Sequence, residues 1–205
     1  MNRDATKIAA WLRPYQGSIT QFIGNSHFEE ILDRWTEPHR KFHTQAHLRG
    51  VIESISPEDV ALVLAAFYHD AVYEPGIPDN EAKSADLLCK HSQEFAANSP
   101  DPEARTDHGA IIAKATQIIL STAEFHHKQD PDEESFFRTD CQALLGNWEA
   151  LLVYEEQICS EFQNVPQAQY LSGRCSFLEK ASEVFPENAE LLLQLRDHVK
   201  RNNNQ

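Results

Sequence analysis

The chain has 205 residues, enough for one large domain or two small ones, and its 41% hydrophobic and 24% charged residues are the balance of a soluble globular protein. A formal net charge of −14, from 18 basic and 32 acidic residues, argues against long duplex nucleic acid or an anionic membrane surface as a partner. A small phosphate ester stays compatible with such a surface if a cation sits in its pocket.

The first segment, "MNRDATKIAAWLRPYQG", carries charge throughout and no long apolar run, so no signal peptide is expected. Nowhere does the chain approach the ~18 apolar residues of a membrane span. Apolar residues recur instead at three- and four-residue spacing, the helical period. Over 19–35 this places Phe22, Ile23, Phe28, Ile31, Leu32 and Trp35 roughly on one side. The stretch "EPHRKFHTQAHLRG" (37–50) comes next and is read as helical from Thr44 onward. The next helix is expected over 56–73, with Ser56 as N-cap and Pro57 at its first position. After "EPGIP" (74–78), Asp79 or Asn80 caps another helix. Over 107–127, Ile112, Ala115, Ile119 and Thr122 form one stripe, which His126 continues toward the core. Helices are also predicted over 147–162 and 187–201, and the tail "KRNNNQ" is expected to fray.

Prolines at 74–78, 99–102 and 130–134 mark connections, none long or simple enough for a domain linker. Four cysteines (Cys89, Cys141, Cys159, Cys175) are widely spaced without a CxxC, which fits reduced thiols in a cytoplasm. Eight to ten helices in one all-α domain is the simplest reading, with a core over about 28–180.

Three places could carry chemistry. His43 and His47, four apart, share a helix face and could share a metal or a substrate phosphate; structural histidines are common enough to leave the alternative open. His69 and Asp70 end the strongly apolar "VALVLAAF". An ionic pair following such a run needs a partner, and a divalent cation takes imidazole and carboxylate together. The alternative is that His69 caps the helix while Asp70 faces water. Asp140 stands alone among Phe136, Phe137, Ala143, Leu144 and Leu145, as an N-cap or a ligand. Three further residues have two readings each. Arg40 clamps a phosphate or pairs with a carboxylate, and so does Arg174 in "YLSGRC". Glu81, in a first helical turn, holds a metal-bound water or second metal, or complements the helix dipole.

The order His … His-Asp … Asp resembles the HD-domain superfamily of metal-dependent phosphohydrolases. The segments "EPHRKFHTQAH", "AAFYHDAVYEPGIPDNEAKSA" and "YLSGRCSFL" are similar to a bacterial subfamily of predicted HD phosphohydrolases, over about residues 28–180. "FHTQAH" is also similar to a segment of the distantly related cyclic-nucleotide phosphodiesterases. The resemblance implies an HD-like helical domain in which His47, His69, Asp70 and Asp140 bind metal, with Asp70 able to bridge two ions. It implies His43 as proton donor and His126 as an extra ligand in a two-metal arrangement. The subfamily carries an Asp-rich stretch where this chain has Asp140 alone.

The resemblance further implies a cytoplasmic hydrolase that cleaves a phosphoester of a nucleotide or other small phosphate compound, using water activated by one or two divalent ions (Mn, Fe, Co, Ni, Zn or Mg). A catalytically inactive, metal- or nucleotide-binding regulator on the same fold is the alternative. Long nucleic acid and membranes are not expected partners, and a homodimer is an open quaternary state.

Overall fold

The structure, a computed structural model, describes residues 9–98 and 104–202. Among these it is all-helical, with nine α-helices and two short 3-10 turns. α1 (Arg13–Arg34) breaks inside at Gly24, whose φ of 76° and ψ of 167° leave the helical region. A β-carbon there would lie 3.0 Å from the Phe95 ring, so both dihedral and space favour glycine. The kink turns Phe22, Ile23, Phe28, Ile31 and Leu32 onto one buried face, and Trp35 is buried just beyond the helix.

α2 (Gln45–Ile52) starts at Thr44, whose hydroxyl accepts from the Ala46 N–H as an N-cap. α3 (Val60–Tyr68) starts four residues after the expected Ser56 cap. Residues 56–59 form a turn instead, closed by the Asp59 N–H on the Ser56 carbonyl, while Ser18 Oγ donates to the Pro57 carbonyl at 2.7 Å. Residues 63–68 are all buried, and α3 touches α1, α2, α4 (Asn80–Ala97), α5 (Ala104–Ser121) and α6 (Pro131–Asp140). A helix apolar on every side must lie inside, and this one does. It ends at Tyr68, earlier than expected, so His69 and Asp70 stand at the inner mouth of the central helix.

α5 also ends early, at Ser121, which corrects the helix expected to continue to residue 127. α6 opens with Asp130 accepting from the N–H groups of Asp132 and Glu133, and Pro131 occupies its first turn. Its adjacent Phe136 and Phe137 face opposite ways. Phe136 completes the core built on α1 to α5, and Phe137 joins a second core built on α7 (Trp148–Glu161), α8 (Gln167–Val184) and α9 (Ala189–Asn202). α9 keeps Arg201 and Asn202 helical, and the rest of the tail expected to fray lies outside the described residues. None of the described helices is long and apolar enough to cross a membrane.

Candidate metal centre

Four side chains from three places meet where the two cores join. His47 rises from the first turn of α2, His69 and Asp70 come directly after α3, and Asp140 is the last residue of α6. His47 Nε2 lies 3.3 Å from His69 Nε2 and 3.0 Å from Asp140 Oδ1; His69 Nε2 lies 3.3 Å from the same Asp140 oxygen. Asp70 Oδ2 is 3.2 Å from His69 Nε2 and 3.9 Å from His47 Nε2. Ligands bound to one ion at about 2.0–2.2 Å stand about 3 Å apart on neighbouring positions and about 4.2 Å apart across an octahedron. The separations are within reach of ligands that would share one ion.

Hydrogen bonding sets the ring orientation. His69 Nδ1 faces the Ala66 carbonyl at 2.9 Å and donates to it, which turns Nε2 toward the cluster. Trp35 and Phe136 pack on the His69 ring, and Phe42 packs on that of His47. Burial acts to lower the His69 pKa, but Asp70 and Asp140 outweigh it and raise it. Burial likewise opposes ionisation of Asp70, and His69 overrides it, holding the carboxyl down at about 2. Asp140 is held below its usual range by His69 and His47 against the same desolvation. Carboxylates held ionised beside imidazoles draw a proton or a metal cation, and His47, His69 and Asp140 together could hold a metal ion.

His43 stands beside the cluster, with Nε2 4.0 Å from Asp70 Oδ2. Its Nδ1 is 2.7 Å from Glu161 Oε2. Glu161 is fully buried and also accepts from the backbone N–H groups of Lys41, Phe42 and His43 and from the Tyr73 hydroxyl. Burial alone would raise its pKa; the bonds from His43, Lys41 and Tyr73 outweigh it and lower it to about 2. An ionised carboxylate only accepts, so His43 carries its proton on Nδ1 and turns Nε2 toward Asp70.

A cavity of about 520 Å³, within the range of small-molecule sites, is lined by His43, Asp70, Glu81 and Asp140 together with aromatic residues such as Tyr154 and Phe177. Glu81 thus lines the same cavity as Asp70 and Asp140. In the turn before α4, Asp79 sits at the cap position without a side-chain cap bond, and Asn80 instead bonds both backbone groups of Glu74.

Arg40 does not reach the cavity as a phosphate clamp. It is buried, with Nε on Glu37, Nη1 on the carbonyls of His43 and Asp70, and Nη2 on that of Ala71. Each nitrogen of the guanidinium is engaged, so it braces the turn that carries Asp70. Arg174 forms the ion pair left open by the sequence, its Nε 2.8 Å from Glu155 Oε2, while also lining the cavity; its buried Nη2 lacks a hydrogen-bond partner. His126 is not in the cluster. Because α5 stops at Ser121, the residue leaves the stripe, stands half-exposed and bonds Glu124 and the His127 carbonyl.

Sequence reasoning missed Glu161. A signal existed: Leu151, Tyr154 and Ile158 form the buried stripe of α7, and Glu161 continues it. A carboxylate on an apolar stripe demands donors. No family model, curated protein or solved structure matches the chain.

Proposed function

We propose that the protein is a metal-dependent phosphohydrolase, resembling the HD-domain superfamily, that acts in the cytoplasm on a nucleotide or other small phosphate ester. The observation that carries this reading is the spacing of His47, His69, Asp70 and Asp140, with atoms 3.0–3.9 Å apart, beside a carboxylate-oriented His43. Their mixed imidazole and carboxylate donors suit Mn, Fe, Co, Ni or Zn, and the carboxylate oxygens also accept Mg. A divalent cation bound there supplies charge neutralisation at the phosphoryl oxygens and a lowered pKa for water.

The chain's own residues do the rest. His47, His69, Asp70 and Asp140 hold the cation, leaving positions for substrate. Protonated His43 donates from Nε2 to the leaving oxygen, and Glu161 keeps that nitrogen turned toward the substrate. Phe125, Tyr154, Phe162 and Phe177 offer an apolar bed for the body of the ester, as a nucleobase would need. Glu81, which lines the same cavity, would hold a water there. The acidic surface, with its net charge of −14, disfavours long nucleic acid and favours a small substrate held at the cation.

The test is hydrolysis of bis-p-nitrophenyl phosphate and a panel of nucleotides with added Mn²⁺, alongside elemental analysis. Wild-type protein is expected to turn over with bound metal, and Asp70→Ala to lose the turnover together with the metal equivalent held at this centre. Unchanged metal content and rate in Asp70→Ala would overturn the reading.

A further inference from the structure

Away from the cavity, α1 and α4 pack side by side and each carries the same four-residue pattern: "HFEE" from His27 to Glu30 and "HSQE" from His91 to Glu94. Three-residue spacing puts histidine and glutamate on one helix face. The two faces meet crosswise. His27 Nε2 is 3.1 Å from Glu94 Oε2, and His91 Nε2 is 3.5 Å from Glu30 Oε2. The two imidazoles stack with centroids 3.9 Å apart and planes within 8°. One ligand atom from each of His27, Glu30 and His91 lies within 4.8 Å of the others. The Gly24 kink lies one turn before His27 and sets the direction of this half of α1.

The far nitrogens are already occupied. His27 Nδ1 faces the Ile23 carbonyl at 2.9 Å, which only accepts, so Nδ1 is the protonated nitrogen. His91 Nδ1 meets the buried Tyr68 hydroxyl at 2.9 Å. A carbonyl or hydroxyl behind each ring is the support that metal-bound histidines use to fix their tautomer. With Nδ1 committed, His27 Nε2 faces the Glu94 carboxylate across 3.1 Å, a gap that a proton or a metal cation bridges. Protons on both rings would stack imidazolium on imidazolium.

We propose that His27, Glu30, His91 and Glu94 form a second metal site, separate from the candidate hydrolytic centre, for a divalent transition ion such as Zn²⁺ or Co²⁺. Two neutral imidazoles and two carboxylates balance a charge of +2, and four such N/O ligands satisfy the tetrahedral coordination of Zn²⁺ or Co²⁺. Glu30 and Glu94 are partly exposed, which gives the ion access, while His91 is buried. Glu30 also pairs with Arg34 at 3.0 Å and Glu94 with Lys90 at 3.9 Å; the ion competes with these two surface contacts, each worth little in water. Bridging α1 to α4, it would clamp the outer helix pair of the first core.

The experiment is a Co²⁺ titration of the full-length, chelator-treated protein, read by visible absorption and by metal content after gel filtration. The wild-type chain is expected to take up one equivalent more than the Glu30→Gln/Glu94→Gln double variant, whose exposed substitutions leave the helical circular dichroism unchanged. Asp140→Asn is expected to remove a different equivalent, and all three substitutions together to remove both. Should Glu30→Gln/Glu94→Gln keep the wild-type content and spectrum, or should the wild-type chain bind a single ion that Asp140→Asn abolishes, the second site does not exist. Loss of metal in Glu30→Gln/Glu94→Gln with none in Asp140→Asn would overturn the hydrolase reading and leave this site standing.

Discussion

His43 can present Nε2 toward Asp70 because Nδ1 is committed to a carboxylate that three backbone N–H groups and the Tyr73 hydroxyl keep ionised. The reactive nitrogen therefore depends on a residue 118 positions away. His43→Ala is expected to lower hydrolysis by about 10²–10⁴, the usual worth of a positioned general acid, with metal content unchanged. Glu161→Gln keeps the shape but frees the ring to change tautomer. It is expected to lower kcat and alter the pH profile while metal content again stays constant; a pH profile identical to wild type would show that the ring is held by something else. Arg40 teaches the opposite lesson: a cation beside a candidate site in sequence is engaged by the carbonyls of His43, Asp70 and Ala71 and braces the site from behind.

At the scale of elements, helix ends decide where the ligands stand. α3 stops at Tyr68, so its apolar length is buried and its polar continuation opens into the cavity. The loop beyond it turns at Gly76, which has a φ of +79°; a β-carbon there would come within 2.6 Å of Val165 Cγ2. Gly76→Ala is therefore expected to cost about 1–3 kcal/mol in denaturant unfolding, through both dihedral strain and the clash with Val165 in the turn before α8. The helices over 147–162 and 187–201 were legible in the sequence to within a few residues, because a steady apolar stripe marks each, with Asn147 capping the first. Ser56–Pro57 carried a start signal of the same local kind and proved to be a turn, since the Pro57 carbonyl serves the Ser18 hydroxyl. The stripe ending in His126 failed for a related reason: periodicity says which face is apolar but not where the helix stops.

At the scale of the molecule, Glu161 joins the two cores, since it sits on α7 and takes hydrogen bonds from the segment that leads into α2. Its pKa is about 2, against about 4.3 in an unfolded chain. A depressed carboxylate contributes stability above its unfolded pKa and loses it as pH falls through the folded one. The shift corresponds to about 3 kcal/mol, present above roughly pH 4.5 and gone below roughly pH 2. Thermal unfolding measured across that window is expected to show a steep fall for the wild type and a shallower one for Glu161→Gln. Equal slopes would mean that the link carries no such energy.

The all-helical class, the buried α3 and the ionic pair at its end could be read from residue order alone, because helical periodicity, caps and a charge beside an apolar run are local properties. Which distant groups share a point in space is not local. The meeting of His47 and His69 with Asp140, the capture of His43 by Glu161, and the crossing of "HFEE" with "HSQE" all depend on how helices pack across one another. Only the packed chain decides them, since burial is what makes each of these polar groups seek a partner and packing is what supplies it.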